Sequence, residues 1–190
     1  MTALRKPGRR IISVLLPLLL FASMAVIRAE TASDLAGLAI VTAPAPVLRQ
    51  TAAPLTRADE EVIGLLSDLA YRLEDGLTLN GGLALPQLGI AKRGFVVLLD
   101  DDAVVMLNPE LTLRGELTAS REGCLSLPGV YGTVSRSSEV TVRFWDEDWT
   151  EQRLDLAGAD AFAVQHENDH LDGVLITDKL LPEIPKERLD

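Results

Sequence analysis

Gln165-His166-Glu167-Asn168-Asp169-His170-Leu171-Asp172-Gly173 is the stretch on which the reading of this chain turns. Four residues of α-helix advance about one turn, so His166 and His170 fall on one face and can share a metal ion. Glu167 stands beside the first imidazole, where its carboxylate can accept a proton from a water whose pKa a bound cation lowers to about 7. The pattern from Asp160 to Leu171 predicts a helix, and Gly173 is placed to end it. The competing explanation is two ordinary histidines on a buried helix, because HEXXH also arises by chance. Against it, these are the only two histidines in the chain, and they sit on a predicted helix rather than a loop.

A catalytic metal site needs a third protein ligand, which in zincin-type proteases is a downstream His or Glu. No further His exists, and Glu183 and Glu187 lie in a Pro-containing tail of only 20 residues after His170. Upstream, Cys124 offers a thiolate within Glu122-Gly123-Cys124-Leu125-Ser126, where small neighbours let backbone approach a bound group. As the only cysteine it can form no internal disulfide. Taken alone, a free cysteine reads more readily as a small buried hydrophobe, so spacing leaves the third ligand open.

Around these motifs the chain reads as one domain. At 190 residues and 47% apolar content it can bury a single core. Pro44, Pro46 and Pro54 punctuate residues 30–55, where no regular element is predicted. Apolar residues Val62, Ile63, Leu65, Leu66, Leu69, Ala70 and Leu73 recur at helical spacing between Asp59 and Gly76, with Thr56 and Asp59 forming a capping box. Phe95–Leu99 and Val104–Leu107 suit one hairpin around Asp100, Asp101 and Asp102; Val140–Trp145 and Gln152–Leu156 suit another. Strands cluster in the middle without alternating with helices, so the class is α+β.

The first 29 residues carry an address of their own. A basic stretch ending at Arg10 precedes an apolar run from Ile11 to Ile27, broken only by Ser13, Pro17 and Ser23. This predicts a signal peptide or signal anchor over residues 1–29, with membrane association through residues 11–27 and anchoring or export as the localisation; a cytoplasmic or organellar placement is the alternative. These 29 residues hold five bases and no acid, so the remaining 13 bases face 28 acids. That balance excludes a basic nucleic-acid groove.

Three separated segments together resemble the signature motifs of peptide deformylases: Gly82-Leu83-Ala84-Leu85-Pro86-Gln87, Glu122-Gly123-Cys124-Leu125-Ser126, and Gln165 through Gly173, with further similarity at Pro46–Arg49 and Asn108-Pro109. Order and spacing match as well. The resemblance implies antiparallel sheets around a central helix bearing the histidines, as a catalytic domain over residues 30–190. It implies that Cys124, His166 and His170 hold one divalent metal with water in the fourth position, iron(II) in most of the family, with nickel, cobalt or zinc also compatible. It further implies Glu167 as general base, and the Gln87 side-chain amide and Leu125 backbone N–H as donors to the developing oxyanion. Gly82, Tyr131, Phe162 and Ala163 are then expected at the substrate, an N-formylmethionyl peptide or nascent chain. Glu122, Arg136 and Asp169 match positions that orient the ligands.

Two departures stand out. Where the family has Gly-aliphatic-Gly-Leu-Ala-Ala, this chain has Asn80-Gly81-Gly82-Leu83-Ala84-Leu85, which removes a pocket-lining side chain at Gly81 and leaves substrate preference open. The sequence also stops soon after the third motif, so ribosome docking through a long C-terminal helix is not assumed. The rival readings are an HEXXH metallopeptidase with Cys124 expendable, a non-catalytic metal- or peptide-binding envelope protein, and a Cys124–His nucleophilic enzyme.

Overall fold

The computed structural model describes residues 34–35, 38–74, 81–100 and 102–182. The N-terminal address (1–29), Asn80, Asp101, Glu183 and Glu187 lie outside them. Among the described residues no helix is long and apolar enough to cross a membrane.

Five strands form one antiparallel sheet in chain order. After a short ribbon of β1 (Asp34–Leu35) and β2 (Leu38–Ala39), the sheet comprises β3 (Gly82–Ala84), β4 (Gly94–Leu99), β5 (Asp102–Gly123), β6 (Tyr131–Trp145) and β7 (Glu151–Ala157). Both expected hairpins exist. Leu99 pairs with Asp102 across the first, and Trp145 with Glu151 across the second. The expected strand at Val104–Leu107 is far longer than its apolar segment, running on to Gly123 as a partner of β6. Two register shifts, between Leu107 and Glu110 and between Arg114 and Leu117, absorb Asn108-Pro109 and Gly115, which read locally as strand breakers.

Alternation along β4 and β5 sends side chains to two cores. Val96, Val105 and Leu107 join Ile63, Leu66, Leu69, Ala70 and Leu73 of helix α1 (Glu60–Glu74). Phe95, Val97 and Met106 join Val140, Val142 and Phe144 of β6 with Ala161, Val164 and Leu171 of helix α2 (Gly158–Leu171). The two helices therefore cover opposite faces of the sheet, which is why β4 is buried on both sides. This is an antiparallel sheet with helices packed on it.

Helix α1 begins where predicted, with a changed cap. Asp59 accepts from the Thr56 N–H at 2.8 Å, the reach-back half of a capping box. The Thr56 hydroxyl donates to the same carboxylate at 2.8 Å and accepts the Ala58 N–H at 3.3 Å. Lys92 completes the site at 2.9 Å, and its hydrogen bond with those of Thr56 holds Asp59 down at about 2. Helix α2 stops as expected: Gly173 adopts φ +72°, and Val174 N–H bonds back to the Asp169 carbonyl at 2.9 Å. The described part of residues 30–55 is more tightly held than its composition suggests. Pro46–Arg49 is a short 3-10 turn, Val41 N–H bonds to the Gln87 carbonyl at 2.8 Å, and Ala43 N–H to the Ser126 carbonyl at 2.9 Å.

Candidate metal centre and active site

Three parts of the fold converge on one cavity. Strand β3 leads into a 3-10 turn, Leu85–Leu88, that carries Gln87. The loop joining β5 to β6 opens with Cys124, where Leu127 N–H bonds to the Cys124 carbonyl at 2.9 Å and Gly123 pairs with Tyr131 to close the hairpin. Helix α2 supplies His166, Glu167 and His170. The cavity measures about 700 Å³, and its lining includes Gly81, Gly82, Gln87, Cys124, Leu125, Tyr131, Phe162, Ala163, His166 and Glu167. Every site residue expected from the sequence lies on it except His170, which sits behind it in contact with Cys124.

The ligand atoms of Cys124, His166 and His170 all fall within 4.8 Å of one another. Cys124 Sγ is 3.3 Å from His170 Nε2. His166 Nδ1 is held at 2.9 Å by Glu122 Oε2, leaving Nε2 to face the thiol. Gln87 is fixed from the other side: its Oε1 accepts the Ala84 N–H at 2.8 Å, which turns Nε2 toward Cys124 Sγ at 3.8 Å. The Gln87 amide orientation thus follows from its own turn.

The two imidazoles differ electrostatically. Burial disfavours the cationic form of both. At His166 the hydrogen bonds with Cys124 and Glu122 overcome burial and push its pKa up to about 10. Among the described residues His170 has no carboxylate partner, and burial with the charges of His166 and Arg136 drives it down to about 3. Glu167 is 3% exposed, and burial pushes its carboxyl up to about 7. Its Oε2 and His170 Nδ1 are buried without a hydrogen-bond partner among the described residues.

Behind the candidate ligands runs a charged network whose three main members, Glu122, Arg136 and Asp169, are those the motif resemblance points to. Arg136, its side chain 1% exposed, donates to both oxygens of Glu122 at 2.9 and 2.8 Å and to Asp169 at 2.6 Å. Burial alone would push Glu122 up, but the hydrogen bonds from Arg136 and His166 hold it at about 2. Lys179 extends the network, reaching both Asp169 oxygens at 2.7 and 2.8 Å. Neither Lys179 nor the clamp of Gln165 on the Ser137 backbone, at 2.8 and 3.0 Å, is evident from the sequence. The place of Gln165 beside His166 is a signal that could have found it; Lys179 carries no local signal.

Gly82 explains how Glu167 reaches the cavity. A Cβ at Gly82 would stand 2.7 Å from the Val96 carbonyl oxygen and 2.8 Å from Glu167 Cγ, inside contact distance of backbone on one side and the carboxylate stem on the other. We expect Gly82→Ala to displace Glu167 and lower turnover about 100-fold, the cost of a misplacement near 1 Å. Steady-state kinetics beside a thermal melt would check this; wild-type turnover would show that the carboxylate has room to move.

One thiol and two imidazoles from adjacent helical turns, flanked by a buried carboxylate, make a donor set that could hold one metal ion, as in hydrolases with an open metal site. The polypeptide deformylase family model matches residues 38–185, and the chain belongs to that family. Peptide deformylase 1 of Bacillus subtilis is 42% identical over 144 residues, covering 74% of this chain and 88% of that protein. The peptide deformylase structure from Thermotoga maritima superposes with a TM-score of 0.69 at 34% identity, covering 75% of this chain and 97% of that one. A class I type b peptide deformylase from Acinetobacter baumannii, solved bound to Met-Ala-Ser, gives 0.67 at 29% identity over 75% and 98% of the two chains.

Proposed function

We propose that this chain hydrolyses the N-formyl group of formylmethionyl peptides, releasing formate and a free amino terminus, with Cys124, His166 and His170 as metal ligands. The observation that carries the site assignment is the convergence of those three ligand atoms within 4.8 Å beside the buried Glu167 carboxylate. The Met-Ala-Ser complex of the Acinetobacter baumannii relative supports a peptide beginning with methionine as the ligand class. A soft thiolate with two imidazoles suits iron(II), our proposed metal, and also nickel, cobalt or zinc.

When bound, the cation supplies Lewis acidity at the formyl oxygen and acidifies water. Glu167 takes the proton of the attacking water as the new C–O bond forms. The Gln87 amide and the Leu125 N–H donate to the oxygen on which negative charge develops. Glu167 then gives its proton to the departing nitrogen as the C–N bond breaks, leaving a neutral amine and formic acid, whose own proton passes to the amine or to solvent to give formate. Phe162 and Ala163, both half-buried on α2, and Tyr131 give an apolar wall for the methionine side chain. A basic start followed by an apolar run supports an N-terminal address over residues 1–29, for export or membrane attachment with a cytoplasmic or organellar placement as the alternative, and the motif resemblance supports a catalytic domain over 30–190.

Metal content separates this reading from a metallopeptidase. Anaerobically purified wild type is expected to hold about one metal ion per chain and to release formate from formyl-Met peptides. Cys124→Ala is expected to lose the metal, since an open catalytic site depends on three protein ligands. Full stoichiometry in Cys124→Ala would refute the ligand assignment, and absence of formate release from metal-loaded wild type would refute the activity.

A further inference from the structure

The chemistry above leaves one charged group on the cavity wall unused. Arg121 lines the cavity three residues before Cys124 on β5 and is exposed. Among the described residues no hydrogen bond, ion pair or ring contact engages its guanidinium. Other arginines in the described part of the fold behave differently: Arg49 pairs with Asp178, Arg93 with Asp172, Arg114 and Arg153 with Asp155, and Arg143 with Glu110. In a chain with 28 acids and 18 bases, an arginine left without a carboxylate at the mouth of a cavity needs a reason.

The cavity has a floor and a mouth. Gln87 and Glu167 are buried at its floor, whereas Arg121, Gly129 and Tyr131 stand at its rim. Among the described residues Arg121 is the only Lys or Arg in the lining. The lining carboxylates do not compete for it: Glu122 is occupied by Arg136 and His166, and Glu167 is buried at the floor. Three residues of strand place Arg121 about 10 Å along β5 from Cys124. An extended peptide with its formylated end at Cys124 covers that distance in about three residues. Arg121 is one of the exposed lining residues past which such a peptide can leave.

We infer that Arg121 is a specificity-determining residue that favours formylated peptides carrying a carboxylate within about three residues of the formylated end. The inference rests on the deformylase reading. The carboxylate is either an Asp or Glu side chain or the C-terminus of a short peptide, and a planar guanidinium can bind either one through two parallel hydrogen bonds.

The test uses formyl-Met-Ala-Asp, formyl-Met-Ala-Asn and formyl-Met-Ala-Lys as C-terminal amides, and formyl-Met-Ala-Asn as free acid. Wild type is expected to show a KM about two- to fivefold lower for Asp than for Asn, the scale of an exposed ion pair, with kcat unchanged. The difference should shrink at high salt. In Arg121→Gln the Asp/Asn ratio should fall to about one, and in Arg121→Glu the Lys peptide should be preferred, as electrostatic complementarity dictates. Competition by unformylated Met-Ala-Asp and Met-Ala-Asn amides should show the same ratio as an equilibrium affinity. A lower KM for the free acid than for the amide assigns the contact to a C-terminal carboxylate, and a low KM confined to Asp assigns it to the side chain. Equal KM values across all four peptides in a wild type that releases formate would overturn the inference and leave the deformylase reading intact. Release from none of them would overturn both.

Discussion

Glu167→Gln is expected to lower formate release by about a thousandfold, within the range a positioned general base contributes, while metal content and melting temperature stay at wild-type values. The substitution keeps the shape that fits beneath Gly82 and removes only the ability to carry a proton. Glu167 is 3% exposed, one of its oxygens has no partner among the described residues, and burial raises its carboxyl to about 7. A carboxylate left in that state costs stability unless a proton or a cation relieves it, which marks it as a group kept for chemistry rather than for packing. The measurement is single-turnover formate release by metal-loaded protein, with stoichiometry determined on the same sample. Activity within tenfold of wild type would remove Glu167 from the proton-transfer role.

The second large effect is structural. Arg136→Met is expected to destabilise the fold by about 3–5 kcal/mol, because it takes the buried guanidinium from Glu122 and leaves Asp169 with only the more exposed Lys179. Equilibrium urea unfolding would measure the loss. Metal affinity should also fall, by about 10- to 100-fold, since Glu122 no longer has a fixed position from which to hold His166. The pH dependence carries a sign. Glu122 has a folded value of about 2 against an ordinary 4.5, so its stabilisation is complete above about 4.5 and is lost as pH falls toward 2. Wild type should therefore show a steep acid limb in stability over that window, and Arg136→Met a shallower one. A variant as stable as wild type, with the same acid limb, would show that the network is incidental to the fold.

The helix with its two histidines is the most legible part of the sequence, because their spacing is a local property of one element. Cys124 is different: nothing about a lone cysteine in a glycine-bordered loop specifies a ligand, and its assignment depends on the three-motif resemblance. Strand β5 is legible only as far as Leu107. Beyond it Pro109 and Gly115 look like punctuation, and Leu113 and Leu117 are exposed, so no buried alternation advertises the strand. Pairing with β6, visible only in three dimensions, keeps that segment extended. The Arg136 network is visible in the sequence as residues and not as contacts, since its partners lie 14 and 33 positions away. Lys179 escapes notice for the same reason.

The backbone bonds from Val41 and Ala43 to the Gln87 and Ser126 carbonyls have a mechanical consequence. They stitch the extended stretch that follows β2 onto the turn and the loop that present Gln87 and Cys124. A displacement of Val41 or Ala43 would therefore be passed through one backbone hydrogen bond each to the turn and the loop that shape the cavity.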